Sequence, residues 1–115
     1  MWNGSGHGLP DHVPALVGLT VMYLKREEFD LALECGERAV KAERGDFSTH
    51  IALGRALLAK ENPARAAAEL EMAVKLAPAS PEARFSLASA YSRLGRKEES
   101  ARELTEFKRL QHLDK

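Results

Sequence analysis

The chain is poor in the features that usually carry chemistry. It has one cysteine in 115 residues, so no disulfide can form within it, and the lone thiol of Cys35 fits a reducing, cytoplasmic setting. Its charge has no overall sign: 17 Lys and Arg balance 17 Asp and Glu, leaving no net field to draw in a polyanion or an acidic membrane surface. Nucleic acid is therefore not an expected partner. Long apolar runs are also missing. The longest, ALVGLTVMYL at residues 15–24, is about half of the roughly 20 residues that cross a bilayer, so no membrane association is expected. The start, MWNGSGHGLPDH, has no Lys or Arg ahead of an apolar stretch and does not read as a secretory signal.

Reactive constellations are absent too. His7, His12, His50 and His112 are scattered without metal-ligand spacing and without a cysteine pair to join them. Cys35 has Glu34 and Glu37 as neighbours, the opposite of the cationic setting that activates a thiolate. Gly4, Gly6 and Gly8 follow no strand and precede no Gly-Lys-Ser/Thr, which excludes a phosphate-binding loop. The carboxylates Glu27, Glu28, Glu98 and Glu99 fall where helices begin, and the helix dipole favours them there. No catalytic residue, metal or cofactor is expected, and the chain does not read as an enzyme.

What is present is repetition. At a period of 34 residues the chain divides into Val13 to Asp46, Phe47 to Ser80 and Pro81 to Asp114, behind a flexible Gly-rich lead-in at residues 1–12. Leu19, Leu53 and Leu87 share a column, followed by the small residues Thr20, Gly54 and Ala88, then by Tyr23, Leu57 and Tyr91. Ala32, Ala66 and Ser100 align further on. Within each copy the apolar residues fall twice at helical spacing with a short break between them. In the second copy Pro63 suits the first turn of a helix, and Pro78 stops that helix. In the third, Gly95 suits a left-handed terminus. Each copy is thus a helical hairpin. Two short amphipathic helices cannot bury their apolar faces alone, so the hairpins must stack, and the small-residue columns mark where backbones approach.

A 34-residue helix-turn-helix unit with Leu then Gly or Ala, Tyr, Ala and Pro at fixed offsets resembles the tetratricopeptide repeat. The second copy carries it best, through Leu53-Gly54, Leu57, Ala66, Ala73 and Pro78. The third matches through Leu87-Ala88, Tyr91, Gly95 and Ser100, and the first through Leu19, Tyr23, Phe29, Ala32 and Ala39. The resemblance implies an all-α, right-handed α-solenoid of three repeats and six main helices, spanning residues 13–115, with the first helices lining a concave side. Some positions depart from the pattern. Arg44 stands where the family has Pro, with Gly45 as a substitute stop; Gly36 replaces a large apolar residue, which predicts a loosely packed first hairpin; Phe107 is bulky where Ala39 and Ala73 are small, which suggests that no further repeat stacks on it.

On the first helices, a second stripe beside the core stripe is expected to face the groove. It consists of Val17, Val21 and Leu24; Ile51, Arg55 and Leu58; and Phe85, Ser89 and Ser92, with Arg93 at the edge. A contiguous apolar surface of this kind marks an interaction site. The expected function is a non-catalytic protein-binding scaffold that takes an amphipathic helix or apolar peptide, with Arg55 and Arg93 as carboxylate anchors. Other readings remain open: the groove filled by the N-terminal segment with Trp2 and Leu9, self-association as a homodimer or docking arm, or a regulatory module of a multidomain protein. Relatives that clamp acidic chaperone tails place Lys, Asn and Arg at positions that here are Val17, Val21, Ala52, Glu82 and Ser86. None matches.

Overall fold

The computed structural model describes residues 12–113, so the lead-in expected at residues 1–12 lies almost wholly outside it. Six helices follow in order: α1 (Val13–Lys25), α2 (Phe29–Ala42), α3 (Phe47–Ala59), α4 (Pro63–Leu76), α5 (Pro81–Arg93) and α6 (Lys97–Leu113). The first helices of the three hairpins start 34 residues apart, as the period predicts. Local chemistry sets these boundaries. Pro63 and Pro81 open α4 and α5, where a missing N–H goes unnoticed. The side chains of Asp46, Asn62 and Ser80 accept from the Ser48, Arg65 and Ala83 amides and so cap α3, α4 and α5.

The three hairpin turns are copies of one another. The Glu28 amide donates to the Tyr23 carbonyl, Asn62 to Leu57 and Arg96 to Tyr91, each at 2.9 Å, which is the six-to-one bond of a helix ending in a left-handed residue. Gly95 supplies that residue in the third turn at φ 79°. Glu27 and Glu61 hold the same conformation at φ 59°.

Each helix packs against the next in sequence. In addition α1 packs on α3 and α3 on α5, whereas the backbones of α2, α4 and α6 stay apart within the described residues, α2 and α4 being bridged at their surface by Glu37 and Arg65 at 3.2 Å. The first helices therefore form a close inner row and the second helices splay outward, which bends the stack over its 47 Å length. The small-residue columns lie at these contacts: Thr20, Gly54, Ala88, Ala32, Ala66 and Ser100 are all buried. Ser100 Oγ donates to the Ala88 carbonyl at 2.9 Å, and Thr20 Oγ1 to the Leu16 carbonyl at 2.8 Å, so neither hydroxyl is stranded.

The expectation about Gly36 is overturned. Gly36 is buried, and a Cβ there would lie 3.1 Å from Leu53 Cα. The missing side chain lets α2 meet α3 backbone to backbone, so the residue marks close packing rather than a gap. Gly45 does not stop α2 through a left-handed conformation; the α2–α3 link is held instead from α3, where Thr49 Oγ1 donates to the carbonyls of Glu43 and Asp46 at 2.9 and 2.8 Å.

Candidate partner-binding groove

Apart from the exposed Ser92 and the two arginines, the residues expected to line the groove divide into three groups. Val17, Val21, Leu24, Leu58 and Ser89 are half-buried on the inner row. Among them Val17 also packs on Leu16, Cys35 and Ala39, and Leu58 on the main core. Ile51 is 6% exposed and belongs to the core with Ala83 and Leu87, because α5 covers that face of α3. It offers nothing to a partner. Phe85, one column on, is 50% exposed, and its ring lies 5.2 Å from that of Phe107 on α6, so it faces the end of the stack rather than the middle of the groove.

The two arginines are engaged within the fold. Arg55 is 3.2 Å from Glu82 and ties α3 to α5, while Arg93 donates to the Leu58 carbonyl at 2.8 Å. Both contacts are exposed, so each contributes little stability and can be exchanged for a partner's carboxylate. Of the expected apolar stripe, Val21, Leu24 and Leu58 remain as half-buried side chains on α1 and α3, and Arg55 and Glu82 pair on α3 and α5. A hollow of about 410 Å³ opens between the ends of α1 and α3, with Val13, Pro14 and Val17 on one wall and Glu43, Asp46 and Ser48 on the other.

Comparison of the columns by residue type missed a clamp that recurs on the outer face. His50 Nδ1 lies 2.8 Å from Glu69 of α4, and its Nε2 meets the Arg44 carbonyl. Thirty-four residues later Arg84 donates to the Pro78 carbonyl at 3.2 Å and to Glu103 of α6 at 2.9 Å. Donor, loop carbonyl and carboxylate occupy matching positions; only the donor chemistry differs. The first hairpin replaces the polar set by Leu16 and Cys35, which pack together in the core. Beside His50 an outer hollow of about 490 Å³ is lined by Glu37, Arg38, Lys41 and Arg44 together with Val40 and Met72. Arg38 and Lys41 lie three residues apart on α2, a spacing readable in the sequence, whereas Arg44 comes from the link beyond the helix.

Other titratable groups serve the structure. Burial, followed by a 2.6 Å hydrogen bond donated to Glu71, pushes the Tyr91 phenol far above its ordinary range. Arg96 lies 4.5 Å over the Tyr91 ring, and its two hydrogen bonds to Glu99 hold that carboxyl below the usual range. Cys35 is fully buried, and burial followed by the Glu34 charge raises its thiol, with Arg38 opposing. We expect native protein at pH 8 to react with a thiol reagent at least about a hundredfold more slowly than unfolded chain, as fits a protonated, enclosed thiol. Fast native labelling would show that α2 opens readily.

A family model for the tetratricopeptide repeat matches residues 51–109, just over half of the chain. The chain belongs to the tetratricopeptide repeat family. Solved members superpose closely. A structure of MamA (MSR-1) is 22% identical, with a TM-score of 0.79 over 92% of this chain and 61% of that one. A MamA (RS-1) double mutant is 24% identical, with a TM-score of 0.81 over 91% and 59%. The second repeat domain of Spaghetti (RPAP3), bound to the HSP90 peptide SRMEEVD, is 17% identical, with a TM-score of 0.80 over 85% and 91%. At these identities the likeness shows the fold. This tetratricopeptide protein spans about three fifths of the MamA chains it matches. Comparison with curated proteins finds no match. No described helix is long and apolar enough to cross a membrane.

Proposed function

We propose that this tetratricopeptide protein is a non-catalytic interaction module, made of residues 13–115, whose inner row of helices receives an apolar helix or extended peptide. The observation that carries this reading is that Val21, Leu24 and Leu58 on the first helices are left half-buried while Leu16, Leu53 and Leu57 already fill the core. Apolar side chains in that position gain by being covered, at about 25 cal/mol per Å². The related Spaghetti domain holds its peptide as a module of the same fold, which supports peptide capture as the kind of work done.

An acidic tail is not the ligand this groove favours. Of the positions that would form a carboxylate clamp, Ala52 and Ser86 are buried, Val17 and Val21 are apolar, and Glu82 carries the wrong charge. The reading predicts that SRMEEVD peptide does not bind at millimolar concentration in calorimetry. It also predicts that Val21→Glu with Leu58→Glu lowers recovery of the partner in affinity capture by about tenfold or more, since two carboxylates would be desolvated against apolar surface. Helicity measured by circular dichroism should be unchanged. Undiminished capture by the folded double variant would defeat the groove proposal.

A further inference from the structure

The repeat lets each helix face be compared with its two equivalents, and one face of α1 differs from both. On α3 the residues Thr49, Ala52, Leu53 and Ala56 are buried, and on α5 so are Ala83, Ser86, Leu87 and Ala90, because a preceding second helix covers them. The matching residues of α1 are Ala15, Gly18, Leu19 and Met22. Gly18 is exposed, a Cβ added to it would meet nothing within 4 Å, Met22 is 37% exposed, and Ala15 and Leu19 are only half-buried. The sequence of α1 suits an inner helix of the stack, and among the described residues none covers this flank.

The two internal junctions also show what covers such a flank. At the first, Asp30 of the covering helix α2 meets Lys60 beyond the end of α3 at 2.5 Å. At the second, Glu71 of the covering helix α4 accepts from Tyr91 of α5 at 2.6 Å. The matching donors at α1 are Arg26 and Tyr23. Arg26 holds an exposed pair with Glu28 at 3.3 Å, which a better-placed carboxylate can replace. Tyr23 is half-buried, with no hydrogen-bond partner for its hydroxyl among the described residues. In the frame of α2 the two required carboxylates fall at Asp30 and Glu37, seven residues or two turns apart on one helix.

We propose that the open flank of α1 docks an amphipathic helix from a partner, with small and apolar residues facing Gly18 and Met22 and two acidic residues seven apart reaching Arg26 and Tyr23. The residues that precede α1, MWNGSGHGLPD, lack this pattern, having three glycines and no carboxylate before Asp11. The site lies on a different side of α1 from Val21 and is independent of the groove.

The chain's own α2 carries both acids, so it serves as the probe. A peptide of residues 29–42 with Cys35→Ala is locked as a helix by a staple between positions 34 and 41, both exposed in the fold. Titrated into the ¹⁵N-labelled full chain, it should shift the amides of Gly18, Leu19, Met22, Tyr23 and Arg26. Gly18→Glu with Met22→Glu should weaken binding about tenfold or more, because carboxylates are then set against an apolar, acidic helix. The peptide carrying Asp30→Asn and Glu37→Gln should bind about fivefold more weakly. The Val21→Glu/Leu58→Glu variant should bind as the wild type does, which separates this site from the groove. The proposal fails if millimolar peptide moves no amide on this flank or if the Gly18→Glu/Met22→Glu protein binds undiminished. It fails equally if the flank's signals change with protein concentration alone, since the occupant is then a second copy of the chain.

Discussion

Replacing Leu70 with Ala is expected to lower the unfolding free energy by about 3 kcal/mol, within the range for a fully buried leucine. Leu70 is 0% exposed and sits on Gly54, where an added Cβ would come 2.6 Å from Leu70 Cγ and 2.7 Å from Cδ2. Gly54→Ala alone therefore forces the leucine aside. Its cost, about 1 to 3 kcal/mol for overpacking, outweighs the roughly 1 kcal/mol that alanine gains over glycine inside a helix. The two changes are coupled: once Leu70 is shortened, the methyl at position 54 enters the vacated space. The double variant should lose clearly less than the sum of the singles, measured by urea unfolding. Additive losses would mean that the two residues do not share one space. The third hairpin already carries alanine in this column, at Ala88, with Leu104 only half-buried.

The second large effect concerns the clamp on the outer face. His50→Leu should cost about 2 kcal/mol, since it removes the imidazole that spans the Arg44 carbonyl and the partly enclosed Glu69 carboxylate. The repeat supplies two rescues. His50→Arg reproduces the arrangement of Arg84, Pro78 and Glu103 and should recover most of the loss. His50→Leu with Glu69→Cys reproduces the apolar pairing of Leu16 and Cys35 and should be more stable than His50→Leu alone. Thermal unfolding resolves these differences, because 1 kcal/mol moves the midpoint of a chain this size by roughly 4 to 8 °C. If neither rescue works, the matching positions are coincidental rather than a shared device.

Fold and site were legible to different degrees, for a physical reason. A 34-residue period and small-residue columns report contacts that recur in every copy, so the helix starts at Val13, Phe47 and Pro81 and the buried Gly54, Ala66 and Ala88 follow from them. The groove depends on which face of each first helix is left uncovered, and that differs between copies. Val17, Ile51 and Phe85 share a column, yet α5 buries Ile51, while Phe85 turns to Phe107 at the end of the stack. Arg55 and Arg93 read as free anchors because their contacts, Glu82 and the Leu58 carbonyl, are distant in sequence. Gly36 misled because a missing side chain looks the same in sequence whether it leaves a gap or admits a backbone.

The three turns share one geometry but not one residue. Glu27 and Glu61 hold a left-handed conformation that costs an L-residue about 1 kcal/mol, and Gly95 holds it almost without penalty. On the ribosome the two hairpins with the costlier bends emerge first, before the neighbours that compensate them exist. The hairpin with the easiest bend emerges last, so α5 and α6 are expected to be the first pair to hold their turn, an order that pulsed hydrogen exchange during refolding would check.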